Sequence, residues 1–236
     1  MALKRAVLAL GTACILFGQT GLEFEVDPFW PKALPEGWIT GQLGGVCVDS
    51  HDHVVVVNRR DITEEEAETS KQAPPIIMFD AAEKMIASFG EPDVVPNSIN
   101  GCTFDRENNV WVGANVDGII QKYSHDGKLL IQIGKRGKFD TTDGTAKGKP
   151  LNAAKDQLNE PAGMVVDPGN GDIYVADGYG NRRVVVFDKA GKYLRQWGRQ
   201  ATKEETEKGV GGVFEEVVHS IVMSKDGLLY VSDREG

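Results

Sequence analysis

The sequence predicts an all-β protein, a β-propeller built from four-stranded blades, and three observations lead to this prediction. A short apolar run, a polar turn and a second apolar run rich in Val, Tyr and Trp recur four times, which is the pattern of an antiparallel hairpin. In two copies, two further apolar runs follow, joined by an Asp-Gly or Ala-Gly turn, so the unit has four strands. The copies also recur at a nearly constant period of 56, 62 and 57 residues, counted between Asp49, Asp105, Asp167 and Ser224.

The four hairpins define the blades in chain order. The first, "GGVCVDSHDHVVVVNRR", continues into "PPIIMFDAAEKMIASFG", and the second, "NGCTFDRENNVWVGANV", continues into "IIQKYSHDGKLLIQIG". The third, "AGMVVDPGNGDIYVADGY", continues into "RVVVFDKAGKYLRQWG", whereas "HSIVMSKDGLLYVSDRE" is a single hairpin. We expect blades near residues 44–90, 100–134 and 162–198 and an incomplete blade at 219–236, about three and a half in all. Because a propeller needs about four to eight blades to close, we expect this chain to be incomplete; the alternatives are closure by association and closure with the N-terminal segment "LEFEVDPFWPKALPEGWITGQLG".

The segments that lengthen the period are polar and partly acidic. They are "ITEEEAETSKQA" within the first blade, "KRGKFDTTDGTAKGKPLNAAKDQ" before the third and "ATKEETEKGVGG" before the fourth. Their composition predicts solvated surface loops, with a functional lid as the alternative.

The N-terminal residues have the layout of a secretory signal. Lys4 and Arg5 precede an apolar run in "MALKRAVLALGTACILFGQTG", so we expect residues 1–21 to be a signal peptide and the mature protein to be secreted or periplasmic. An uncleaved anchor is the alternative, and no other segment has the length and hydrophobicity of a membrane span. Residues 22–43 would then form an N-terminal segment leading into the propeller.

The charge balance excludes one class of partner. The chain has 35 acidic and 26 basic residues and a formal net charge of -9, and its basic residues are scattered among carboxylates. Nucleic-acid binding needs a concentrated basic surface, so we expect no nucleic-acid partner.

Two cysteines, Cys47 and Cys102, lie in the predicted first strands of the first two blades. They could pair in an oxidising compartment, but a small buried apolar residue is the commoner role of cysteine in a strand. The sequence therefore favours unpaired cysteines.

The strand order predicts one cluster of functional side chains. In an antiparallel hairpin the start of the first strand and the end of the second lie at the same end, so these positions should converge at one mouth of the channel. The positions are Gly44, Asn100, Ala162 and His219 at the strand starts, and Arg59, Asn115, Gly178, Tyr179 and Arg234 after the second strands. Arg59 and Arg234 occupy equivalent places and could form a carboxylate clamp. Packing is the commoner role of a tyrosine such as Tyr179, and a hydrogen-bonded wall residue is the default interpretation of His219.

The stretch "ADGYGNRRVVVF" admits a purely structural interpretation. Gly178, Gly180 and Asn181 suit a tight loop with positive φ, and Asp177 can cap such a loop. One of the two following arginines, Arg182 and Arg183, is expected to face solvent. Three histidines lie in turn-like polar clusters and are expected to be exposed; they are His51, His53 and His125.

The stretch "NEPAGMVVDPGNGDIYVADGYGNRRVVVFDKAGKYLRQWG" resembles an NHL repeat. The order of "VNRRD", "DGYGNRR", "VVHSIVMS" and "VSDRE" is similar to that of the peptidyl-alpha-hydroxyglycine alpha-amidating lyases, over residues 44–236. The resemblance implies a six-bladed propeller whose central zinc, held by histidines, helps to split a C-terminal hydroxyglycine into a peptide amide and glyoxylate.

The resemblance also implies residue roles. Arg59 and Arg234 would bind the substrate carboxylate, Tyr179 would assist removal of the hydroxyl proton and His219 would ligate zinc. Asn100 stands where the lyases have another zinc histidine, and the third would belong to a later blade. An Asn amide is a poor substitute for imidazole, and a catalytic zinc usually needs three protein ligands.

The sequence therefore favours a binding module with an arginine-lined mouth. Its partner would be a small carboxylate, a peptide or another protein, and a zinc-dependent lyase is the alternative. Whether calcium binds in the channel is left open.

Overall fold

The computed structural model describes residues 24–236, and the predicted signal peptide, residues 1–21, lies outside this range. Residues 24–30 belong to an N-terminal unit and contain a turn in which the Phe29 N–H donates to Asp27 Oδ1 over 2.8 Å. All the strands and helices within the described residues, 24–236, belong to the second unit, residues 31–236. No helix within residues 24–236 has the length and hydrophobicity needed to cross a bilayer.

The all-β propeller architecture predicted from the repeats is confirmed: three four-stranded antiparallel sheets are followed by a two-stranded sheet. The first blade is β2 (Leu43–Val48), β3 (Val54–Asn58), β5 (Ile76–Phe79) and β6 (Met85–Phe89). The second is β7 (Ile99–Phe104), β8 (Val110–Ala114), β9 (Ile119–Tyr123) and β10 (Leu129–Ile133). The third is β11 (Gly163–Val166), β12 (Ile173–Asp177), β13 (Arg183–Phe187) and β14 (Tyr193–Trp197), and β15 (Val218–Met223) pairs with β16 (Leu229–Asp233).

The inner strands of successive blades, β2, β7, β11 and β15, lie next to one another in that order. The hydrophobic core fills the spaces between consecutive blades rather than one central volume. Val55, Val57 and Met78 of the first blade pack with Val110 and Val112 of the second. The middle strands are buried on both faces, which explains the continuous apolar runs "VVVV" and "VVVF".

The segment before the first blade adds a short parallel pair. Its strand β1 (Trp38–Ile39) pairs with β4 (Lys71–Gln72), which lies between β3 and β5 in the chain. Leu34 and Trp38 pack against the cluster that contains Val56 and Ile77 of the first blade. The stretch from Leu34 to Trp38 thus packs against this blade.

Two of the predicted loops contain short helices. Helix α1 (Glu64–Thr69) lies in "ITEEEAETSKQA" and helix α2 (Lys203–Glu207) in "ATKEETEKGVGG". Each begins with a capping box, because Thr63 and Thr202 exchange hydrogen bonds with the glutamates three residues on. Neither helix buries a residue, so the expectation of solvated surface is correct for both helices.

The prediction that Cys47 and Cys102 are unpaired is wrong. The two residues form a disulfide with a Cα–Cα distance of 5.8 Å, and it joins strand β2 to strand β7. The sequence reasoning treated each cysteine within its own strand. Only the side-by-side placement of the inner strands, 55 residues apart in the chain, brings the sulfurs together.

Candidate functional site

The strand register brings the predicted site residues to one end of the blades. Leu43 pairs with Asn58, and Ile99 pairs with Ala114, so each inner strand starts beside the end of its second strand. The third and fourth hairpins follow the same register. We call this end the mouth, and its residues are Gly44, Arg59, Asn100, Ala162, Tyr179, His219 and Arg234.

Arg59 and Asn100 form the first group of side chains at the mouth. An Arg59 Nη2–H donates to Asn100 Oδ1 over 2.7 Å, and Asn100 Nδ2 donates to the Ala162 carbonyl over 3.4 Å. The Arg59 Nε is buried and has no hydrogen-bond partner among the described residues. Gly44 allows the inner strands to approach closely here, because a Cβ at this position would collide with the Ile99 carbonyl. Asn100 therefore links the first blade to the third.

Tyr179, His219 and Arg234 form the second group. The Tyr179 hydroxyl lies 3.0 Å from His219 Nε2, and the two rings meet edge to face at a centroid distance of 5.5 Å. The Arg234 guanidinium stacks over the Tyr179 ring at 5.6 Å. Burial, with a smaller contribution from the Arg234 charge, lowers the pKa of His219 below its ordinary value. His219 is thus held neutral beside a phenol that can donate to it.

The structure does not join the two groups directly. Within the described residues, no hydrogen bond or ion pair connects Arg59 with Arg234. Arg234 pairs with its neighbour Glu235 over 2.9 Å, and both side chains are about half exposed. A groove of about 340 Å³ runs along the inner strands and is lined by both Asn100 and His219.

The loop that carries Tyr179 uses its glycines for close packing rather than for positive φ. Gly178 and Gly180 are absent from the residues with positive φ, contrary to the expectation. A Cβ at Gly178 would collide with the backbone of Val218 in the next blade, and one at Gly180 would collide with Asn159. Glycine at 178 therefore brings Tyr179 close to His219.

The arginines that follow this loop are both covered, so the expectation that one faces solvent is wrong. Arg183 is fully buried and forms ion pairs with Asp177 at 2.8 Å and Asp140 at 3.3 Å. Arg182 donates to carbonyl groups of Gly178 and Glu215, and its side chain is only 16% exposed. These ion pairs and hydrogen bonds hold the loop in place.

The donor set at the mouth does not fit a zinc ion by itself. Among the described mouth residues His219 is the only imidazole, and its Nε2 contacts Tyr179. Asn100 Oδ1 accepts from Arg59 and is not free for a metal. A catalytic zinc normally takes three protein ligands, which these residues do not supply.

The sequence reasoning missed a cluster at the opposite end of the blades. His53 and His125 both contact Asp49 Oδ2, and their side chains are 24% and 42% exposed. The expectation of an exposed histidine is correct for His51, at 64%. The spacing gives no signal for His125, because 76 residues separate it from Asp49.

Comparison with known proteins confirms the NHL repeat. The family model "NHL repeat" matches residues 158–187, which include the loop that carries Tyr179. Peptidyl-glycine alpha-amidating monooxygenase B of Xenopus laevis is 26% identical over 231 residues, covering 91% of this chain and 24% of that protein. NHL repeat-containing protein 3 of Homo sapiens is 28% identical over 217 residues, covering 89% of this chain and 54% of that protein.

A shorter match and a solved structure extend these similarities. Peptidyl-alpha-hydroxyglycine alpha-amidating lyase 1 of Drosophila melanogaster is 28% identical over 140 residues, covering 58% of this chain and 23% of that protein. A solved structure of a protein of unknown function from Bacteroides thetaiotaomicron superposes with a TM-score of 0.54 at 13% identity. This match covers 82% of this chain and 45% of that chain. The chain spans about a quarter of the length of the amidating monooxygenase, and the similarities are consistent with an NHL-repeat propeller.

Proposed function

We propose that the mouth binds a small carboxylate, either a free acid or the C terminus of a peptide. The observation that carries this proposal is how few charged partners the two arginines of the mouth have within the described residues. Arg59 donates to a neutral amide and, within the described residues, makes no ion pair. Among the described residues, Arg234 forms an ion pair only with its exposed neighbour Glu235, which is a weak interaction. Both guanidinium groups therefore keep capacity for an incoming carboxylate.

The neighbouring side chains would give such a site its specificity. The Tyr179 hydroxyl and the neutral His219 ring lie beside Arg234 and can hydrogen-bond a polar group next to the carboxylate. The groove along the inner strands offers space for the remainder of a small ligand or a peptide end.

The test compares peptides with a free C terminus against the same peptides as C-terminal amides. We expect the free acids to bind more tightly, and Arg59→Ala or Arg234→Ala to abolish this preference. Arg195→Ala is the matched control, because Arg195 is exposed on the outer strand β14 and contacts Tyr174 instead. Unchanged binding in both mouth variants would reject the proposal.

A second candidate function is cleavage of peptidyl-α-hydroxyglycine to a peptide amide and glyoxylate. Its support is the contact between Tyr179 and the neutral ring of His219. The Tyr179 phenol would take a proton from the substrate hydroxyl and pass its own proton to the His219 imidazole. The homology to the Drosophila lyase is in keeping with it. Glyoxylate release from a hydroxyglycine peptide, with and without added zinc, tests this function. No release in either condition would reject it, and Tyr179→Phe should remove any that occurs.

We also propose that the protein is exported. The Cys47–Cys102 disulfide supports this location, because disulfides persist in secreted and periplasmic proteins and are rare in the reducing cytosol. The signal-like N-terminal sequence points the same way.

A further inference from the structure

Three side chains with metal-binding groups meet at the end of the blades opposite the mouth. Asp49 and His53 lie in the turn that joins β2 to β3 in the first blade. His125 lies in the turn that joins β9 to β10 in the second blade. Their ligand atoms all lie within 4.8 Å of one another. The cluster therefore bridges two blades and is separate from the carboxylate site proposed above.

The distances approach those of a tetrahedral zinc site. Asp49 Oδ2 lies 2.9 Å from His53 Nδ1 and 3.2 Å from His125 Nε2. Zinc bonds of about 2.0–2.2 Å place neighbouring ligand atoms in a tetrahedron about 3.3–3.6 Å apart. A shift of a few tenths of an ångström in the side chains would therefore open the cluster for an ion.

The backbone holds the Asp49 carboxylate in the orientation that a metal ligand needs. Asp49 Oδ1 accepts hydrogen bonds from the N–H groups of His51 at 2.8 Å and His53 at 2.9 Å. Oδ2 is thereby directed at the two imidazoles, and the Asp49 side chain has no exposed surface. Such outer hydrogen bonds typically orient metal ligands.

The equivalent turn of the second blade has the same backbone hydrogen bonds but no imidazoles at its carboxylate. There Asp105 Oδ1 accepts from the backbone N–H groups of Glu107 and Asn109, as Asp49 Oδ1 does in its own turn. The Asp105 Oδ2 is neutralised by Lys122 at 2.6 Å. The first blade places two imidazoles at the carboxylate instead of one lysine.

We propose that Asp49, His53 and His125 bind one zinc ion. Two imidazole nitrogens and one carboxylate oxygen are a donor set that zinc prefers, and they leave a fourth position for solvent beside the partly exposed His125. The ion would replace the protons that the rings direct at Asp49 Oδ2. Each ring either releases that proton to solvent or carries it on its other nitrogen. The ion would also tie the first blade to the second, as the disulfide does on the inner strands.

The experiment measures zinc bound by the purified protein in competition with a chromophoric chelator. We expect one equivalent of zinc in the wild type, and an affinity at least tenfold weaker in His53→Ala and in His125→Ala. Calcium in excess should not displace the ion, because calcium takes six or more oxygen ligands. Zinc should also raise the unfolding temperature of the wild type and not that of the double variant His53→Ala/His125→Ala.

His219→Ala is the matched control, since it removes the imidazole of the mouth and leaves the cluster intact. The His219→Ala variant should still bind one equivalent of zinc. Loss of zinc in His219→Ala, or unchanged affinity in both cluster variants, would overturn the proposal. Circular dichroism and the conservative variant His125→Gln guard against a variant that simply fails to fold.

Discussion

The hydroxyl of Tyr179 lies 3.0 Å from Nε2 of His219, across the boundary between the third and fourth blades. The contact exists because the loop after β12 approaches the backbone at the start of β15 without an intervening side chain. It gives the mouth a neutral hydrogen-bonded pair next to the cation of Arg234. The electrostatics and the packing of this pair can be tested separately.

Replacing Arg234 by alanine should raise the pKa of His219. Burial is the main cause of the lowered pKa and persists in the variant, so the value should remain below its ordinary one. The Arg234 charge is the second cause, and its removal lessens the penalty for protonating the ring. An NMR titration of the His219 ring protons measures the change, and Arg59→Ala is the control in which it should not occur.

The same lowered pKa predicts the direction of the pH effect on stability. The unfolded chain binds a proton at His219 near pH 6.5, and the folded protein does so only at lower pH. This residue's contribution is therefore full above about pH 6.5 and is lost as the pH falls below that value. The loss should be smaller in Arg234→Ala, and an equal or larger loss would contradict the assigned causes.

Gly178→Ala should destabilise the protein by about 1–3 kcal/mol, because the new Cβ collides with the backbone of Val218. It should also weaken carboxylate binding by moving Tyr179 away from His219. Gly211→Ala is the matched control: its Cβ would meet nothing within 4 Å, and its φ is not in the left-handed region. Urea denaturation of both variants gives the comparison, and equal stabilities would contradict the packing argument.

The sequence alone predicts most of the blades and only part of the site. Apolar runs and turn residues act locally, so the strands and the mouth end of each hairpin could be derived from periodicity. The need for glycine at position 178 could not be derived in this way, because it comes from the backbone of Val218 in another blade, with which a Cβ would collide. His125 was misjudged for the same reason: its contact with Asp49 depends on how two blades pack.

Replacing both Cys47 and Cys102 by alanine should lower the free energy of unfolding by about 2–4 kcal/mol. The disulfide closes a loop of 55 residues, and the chain-entropy model gives about 4 kcal/mol for a loop of that length. Guanidinium denaturation measures the difference. A reducing agent should lower the stability of the wild type and leave the double variant unchanged. A wild type insensitive to reduction would mean that the bond contributes nothing.

Arg183→Met should lower the free energy of unfolding by about 3–5 kcal/mol, which is more than the loss of its contacts suggests. The side chain is fully buried, and its Nε and Nη groups donate to Asp177, Gln196 and two backbone carbonyls. Removing the cation leaves the carboxylates of Asp177 and Asp140 buried without their partner, which is the expensive half of a broken ion pair.

Arg195→Met is the control, because Arg195 is exposed and its partner within the described residues is Tyr174. Its loss should lower the free energy of unfolding by less than about 1 kcal/mol. The double variant Arg183→Met/Asp177→Asn should recover part of the stability, since it removes one unpaired charge. A double variant no more stable than Arg183→Met would show that lost packing, rather than the unpaired buried charge, dominates. Because Asp177 ends the strand that leads to Tyr179, the single variant should also weaken carboxylate capture at the mouth.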